Sequence, residues 1–112
     1  MGSGPTGADM GDLQVIVSNV DSHHEVRLLG ELDMSTAPRL KDELSRLAAD
    51  GATTVTVDLS DLAFIDSTGL TVLITGLKRF RQEGGDMMLR SPTPATRKVL
   101  EITGLTDVFS IS

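Results

Sequence analysis

Beyond Asp33 the sequence switches repeatedly between two hydrophobic periods, and that rhythm limits the folds open to it. Ala37, Leu40, Leu44, Leu47 and Ala48 recur at helical spacing, with Arg39, Lys41, Asp42, Glu43 and Arg46 on the other face. Ser35 or Thr36 can cap this helix, Pro38 sits in its first turn, and Gly51 can end it. TTVTVDLS, from Thr53, instead alternates Val55, Val57 and Leu59 against Thr54, Thr56 and Asp58, the period of a strand. A second helical stripe follows in Leu70, Leu73, Ile74, Leu77 and Phe80, ended by Gly84 and Gly85. DMMLRS is then a short strand, Ala95, Val99 and Ile102 form a third stripe before Gly104, and DVFSIS supplies a last strand or tail element. Strands alternating with helices pair in parallel through right-handed crossovers, so the fold class is α/β.

Two β-prone runs precede this series: LQVIVSNV from Leu13 and EVRLLGEL from Glu25, with SNVDSHH as the turn. The separation is too short for a crossover helix, so an N-terminal antiparallel β-hairpin opens a mixed, mostly parallel sheet. Strands buried on both faces read as continuous apolar runs, whereas TTVTV alternates, so the helices are expected mainly on one face. The first twelve residues, MGSGPTGADMGD, have no apolar period and read as a flexible leader over 1–12 ahead of one domain over 13–112.

Composition removes several classes of function. The chain has 112 residues and no cysteine, which excludes disulfides, thiolate nucleophiles and cysteine metal ligands. A net charge of -6 opposes generic attraction to nucleic acid or anionic lipid, and 3% aromatic content leaves few base-stacking platforms. No apolar run approaches the roughly 20 residues that cross a bilayer, and no secretion signal is apparent, which points to a cytoplasmic protein. Neither a phosphate loop nor GxGxxG, HExxH or GxSxG is present. His23 and His24 are the only histidines and fall in the predicted hairpin loop, so a Ser-His hydrolase is poorly supported. Asp58, Asp61 and Asp66 form a loose acidic set around the strand-to-helix junction that could hold Mg²⁺, but nothing in the spacing demands a metal and a solvated or capping role accounts for it.

The chemistry-bearing stretch is AFIDSTGL, Ala63 to Leu70. Asp66, Ser67 or Thr68 can cap the following helix. Ser67 also stands where a parallel strand ends and a helix begins, where ligand sites open and a phosphate is tolerated. Phosphorylation there would add about -1.5 to -2 charges beside Asp66, and Gly69 would let another backbone approach. GELDMSTAPRL, Gly30 to Leu40, repeats the pattern with Asp33, Ser35 and Thr36. If the strands carrying the two junctions pair in parallel, both open on one sheet edge and form a single recognition patch.

GELDMSTAPRLKDEL, VTVDLSDLAFIDSTGL and EITGLTDVF resemble the three signature stretches of bacterial anti-sigma-factor antagonists, the single-domain members of the STAS family. The resemblance spans about Leu13 to the C-terminus and is most specific in the IDSTGL string. It implies a β-α superhelix with its helices mostly on one side, and a partner-switching function without catalysis or cofactor. The unphosphorylated antagonist binds an anti-sigma factor that is itself a serine kinase and so frees a sigma factor. Phosphorylation ends that binding, and a PP2C-type serine phosphatase resets it. By position, Ser67 matches the phosphoacceptor, Thr68 is a minor alternative, Asp33 matches an acid that contributes to kinase binding, and Asp66, Gly69 and Leu70 match the flanking positions. The rivals are a STAS module that senses a nucleotide or scaffolds an assembly, a response-regulator-like domain phosphorylated on Asp58, and weak nucleotide hydrolysis.

Overall fold

The first two β-prone runs do pair antiparallel, and every later strand is added in parallel. The computed structural model describes residues 12–21 and 23–112. Its elements run β1 (Leu13–Val20), β2 (His23–Leu32), α1 (Ala37–Ala49), β3 (Thr54–Ile65), α2 (Ser67–Gln82), β4 (Asp86–Arg90), α3 (Pro94–Ile102), a 3-10 turn (Leu105–Asp107) and β5 (Ser110–Ile111). The expected leader lies outside the described residues except for Asp12. Its carbonyl accepts from the Glu31 amide at 3.3 Å and its carboxylate pairs with Arg39 at 3.3 Å.

The strand order is β1-β2-β3-β4-β5 with no reversal. Each later strand is added beside the one before it through a connecting helix; α1 packs against α2, α2 lies on β3 and β4, and α3 packs on β3. Beneath them Val26, Leu28, Val55, Val57, Met87 and Leu89 are fully buried. The alternate positions Glu25, Arg27, Asp58 and Arg90 face away from the helices and pair with one another or their neighbours: Arg27 with Asp61, and Arg90 with both Glu25 and Asp58. The alternation in TTVTV thus records a sheet covered on one side. No helix among the described residues is long and apolar enough to cross a membrane.

In α1 all five residues of the apolar stripe are buried, from Ala37 to Ala48. Full burial of one leucine contributes about 1.5–3 kcal/mol, far more than helix propensity, so packing holds this helix. In α2 Leu70, Leu73, Leu77 and Phe80 are buried likewise. In α3 the stripe differs from the one expected. Thr96 and Leu100 are buried, whereas Ile102 is 74% exposed. A threonine tolerates that position because its amide and hydroxyl meet Thr93 Oγ1, at 3.2 and 3.1 Å.

His23 and His24 are not loop residues. Parallel pairing of β2 with β3 begins at His23 and Thr54, which draws both histidines into the strand and leaves the turn to start at Asp21. Asp21 has φ 58°, a left-handed conformation that aspartate adopts more readily than most residues. His23 Nδ1 lies 3.1 Å from Thr54 Oγ1, and Nε2 lies 2.8 Å from Thr56 Oγ1.

The loose acidic set is dispersed. Asp58 meets Arg90 and the Ser60 amide, Asp61 meets Arg27, and Asp66 caps α2. Among the described residues no group of three or more potential ligands is placed to hold a metal. Partial burial pushes the Asp58 carboxyl upward, but the Ser60 amide and hydroxyl and the Arg90 guanidinium outweigh it and hold it below the ordinary 3.8. A depressed carboxyl stabilises the fold above its unfolded pKa and loses that contribution as pH falls through its folded value. Asp58→Asn is therefore expected to cost about 1 kcal/mol at neutral pH. Urea titrations of both chains should show the difference fading below pH 3.8; a constant difference down to strong acid would contradict the pairing.

Candidate functional site

The two strand-to-helix junctions open side by side. Leu32 and Ile65 are the last paired residues of β2 and β3, and the ladder continues one step further with the Asp66 amide donating to the Leu32 carbonyl at 3.1 Å. The loops after Leu32 and Ile65 therefore leave the same sheet edge as neighbours.

One carboxylate ties them together. Asp66 is the N-cap of α2, with extended backbone, and its Oδ1 accepts from the Gly69 amide at 3.0 Å. Its Oδ2 accepts from the Met34 amide, in the other loop, at 3.1 Å. Asp33 organises that other loop. Its Oδ1 accepts from the Ser35 amide and hydroxyl at 2.9 and 2.8 Å and from the Thr36 amide at 3.1 Å. The Ser35 hydroxyl above all, with the two amides, holds the Asp33 carboxyl below its ordinary range although partial desolvation acts the other way. Asp33 is thus an anion throughout the neutral range.

Ser67 is the first residue of α2 and is exposed. Because Asp66 supplies the cap, the Ser67 hydroxyl is not needed for it and has no hydrogen bond among the described residues; only its carbonyl is engaged, by Thr71 Oγ1 at 2.9 Å. The amides of Ser67 and Thr68 belong to the first helical turn, where no intrahelical acceptor exists. With the positive end of the helix dipole, they make the position hospitable to an added anion. Thr68 is half-buried and less accessible than Ser67.

Other selected residues serve the chain's own packing. Thr36 is 2% exposed, and its hydroxyl donates to the Glu31 carbonyl at 2.8 Å and accepts from the Asp33 amide at 2.9 Å. It shapes the loop from within. Leu70 is buried in the core. At Gly69 a Cβ would lie 2.7 Å from Leu32 Cγ and 3.0 Å from Ile65 Cγ1, so the glycine admits the chain's own strand ends rather than an external backbone. Met34 was not selected from sequence, yet its side chain is 74% exposed between Asp33 and Ser35. A lone apolar residue in an otherwise polar loop was the available signal. The neighbouring Phe64 is 49% exposed.

Catalytic partners for Ser67 are distant. His23 pairs with Thr54 at the opposite end of β3, roughly 35 Å away at about 3.3 Å per strand residue. His24, one residue on, is no nearer to acting as its base.

A sequence profile of the STAS domain matches residues 14–112. The chain belongs to the STAS domain family. An anti-sigma-B factor antagonist of Bacillus subtilis (strain 168) is 33% identical over 101 residues, which are 90% of this chain and 92% of that one. Among solved structures, an anti-sigma factor antagonist from Mycobacterium paratuberculosis superposes with a TM-score of 0.81 at 31% identity, over 88% of this chain and 84% of that one. The anti-sigma factor antagonist SpoIIAA in its unphosphorylated form gives 0.78 at 26% identity, over 88% of each chain. The Bacillus protein SpoIIAA in the phosphorylated form gives 0.71 at 25%, over 88% of this chain and 91% of that one.

The Asp66 bridge has a direct check. Asp66→Ala removes a cap and leaves two amides unpaired, and is expected to lower stability by about 1–2 kcal/mol. Hydrogen exchange should quicken at the Met34 and Gly69 amides together, whereas loss of the cap alone would quicken Gly69 only.

Proposed function

We propose that this chain is an anti-sigma factor antagonist of the partner-switching type, and that Ser67 is its switch. Unphosphorylated, the surface around Asp33, Ser35, Met34 and Ser67 binds an anti-sigma factor with serine-kinase activity, which releases a sigma factor. The kinase transfers phosphate to Ser67 and the complex dissociates. A PP2C-type phosphatase restores the binding form, and the cycle runs in the cytoplasm. The chain is a substrate and a binding surface in this cycle, not an enzyme.

The observation that carries this reading is the exposed, unengaged Ser67 hydroxyl at a helix start whose cap is supplied by Asp66. A free hydroxyl with no base of its own suits a residue that is acted upon, since a kinase brings base, ATP and Mg²⁺. Phosphorylation adds about -1.5 to -2 charges. The amides of the first turn of α2 can hold that charge without loss of the helix, while Asp66 and Asp33 leave it uncompensated toward a partner. A buried, unpaired dianion is costly at an interface, and each 1.4 kcal/mol of that cost is tenfold in affinity.

Incubation with ATP and a cognate kinase, followed by intact-mass spectrometry and site mapping, is expected to give one added phosphate on Ser67. Ser67→Ala should abolish it and keep kinase binding; Ser67→Asp should weaken binding at least about tenfold. A modification that persists in Ser67→Ala and maps away from Thr68 would overturn the assignment. Undiminished binding by Ser67→Asp would favour a STAS module with no phosphoswitch.

A further inference from the structure

Residues of α1 and α2, with Met34, line a groove of about 480 Å³. Its floor is apolar, made of Ala37, Leu44, Gly76 and Phe80. Gly76 brings the helices together there: a Cβ on it would lie 2.9 Å from Leu44 Cδ1. The volume falls within the 300–1,000 Å³ of pockets that hold small ligands on an apolar floor with a few placed polar groups.

The charge of the lining is opposite to that of the chain. The protein carries a net charge of -6, yet the groove has two cations, Lys41 and Arg79, and no carboxylate among its lining residues. Arg79 shares its guanidinium with Glu83 at 3.5 Å, one turn on. Lys41 makes no ion pair among the described residues. An apolar trough with a free ammonium at its wall fits a molecule with a hydrocarbon body and one negative head.

We propose that the α1–α2 groove is a binding site for a small amphiphilic carboxylate, its chain lying on Leu44 and Phe80 and its carboxylate on Lys41. Met34 and Thr68 form the end of the groove nearest the Ser67 junction, so an occupant would reach the edge of the surface assigned above to the partner. The site does not depend on Ser67 being a phosphoacceptor, and its test involves no kinase.

The test is titration of the isotopically labelled, unphosphorylated full chain with decanoate below its micelle concentration, followed by amide chemical shifts. Saturable shifts confined to the Met34 loop, α1 and α2 are expected. Lys41→Gln should weaken binding about five- to tenfold, and decan-1-ol, which lacks the charge, should bind weaker than decanoate by a similar factor. Thr75→Trp, at an exposed lining position, should block the groove without disturbing the core. Absent or scattered shifts, or binding indifferent to both Lys41→Gln and Thr75→Trp, would overturn the proposal.

Discussion

The geometry of the junction depends on one side chain. Asp66 starts a helix with one oxygen and holds a second loop with the other, so a single carboxylate fixes both the direction of α2 and the position of Met34. That double use requires β2 and β3 to end in step, which the Leu32 and Ile65 register provides. It also requires α2 to start directly on the two strand ends, which the missing side chain of Gly69 permits. The exposed hydroxyl of Ser67 is what remains after these demands are met. A serine that had to cap its own helix would have been hydrogen-bonded and less available.

Much of this was legible in the sequence, and the legible parts share a cause. Amphipathic helices against a sheet must repeat their apolar residues at a period near 3.6, so α1 could be read residue by residue. The hairpin and the parallel ladder followed from connection lengths. The second half of β3 was obscure because its alternation breaks at irregularities in the β2–β3 register, between Arg27 and Leu29 and between Gly30 and Glu31. The histidines were misplaced for a related reason: a partner strand decides where a strand begins, and nothing local in SHHE announces it. In α3 a buried threonine, satisfied by Thr93, stood where the periodic pattern sought an apolar residue.

At the site, residue types were readable and their division of labour was not. Asp33, Asp66 and Ser67 lie together, as two parallel junctions on one edge demand. Thr36 and Leu70 are of the same neighbourhood but are spent on internal structure. Sequence shows that a hydroxyl is near a helix start; only the accounting of donors and acceptors shows which hydroxyl is left over. The same accounting covers the acids of the sheet and of the two junctions: Asp58, Asp61 and Asp86 meet arginines, Asp66 meets two amides, and Asp33 meets amides and a hydroxyl.

The unequal bonding of β3 bears on how this molecule can deform. Its first five residues, Thr54 to Asp58, lie between β2 and β4, whereas the rest of the strand has a ladder on the β2 side only. The strand is held by ladders on both sides at its root, and at its tip by one ladder and the buried side chains of Leu59, Leu62 and Ile65; the tip carries Asp66 and the start of α2. Opening the tip breaks one ladder instead of two, so a strain applied there can relax locally while the core pairs hold. Mechanically, the junction hangs from the singly laddered half of β3, whose remaining hold is the side chains it sinks into the core.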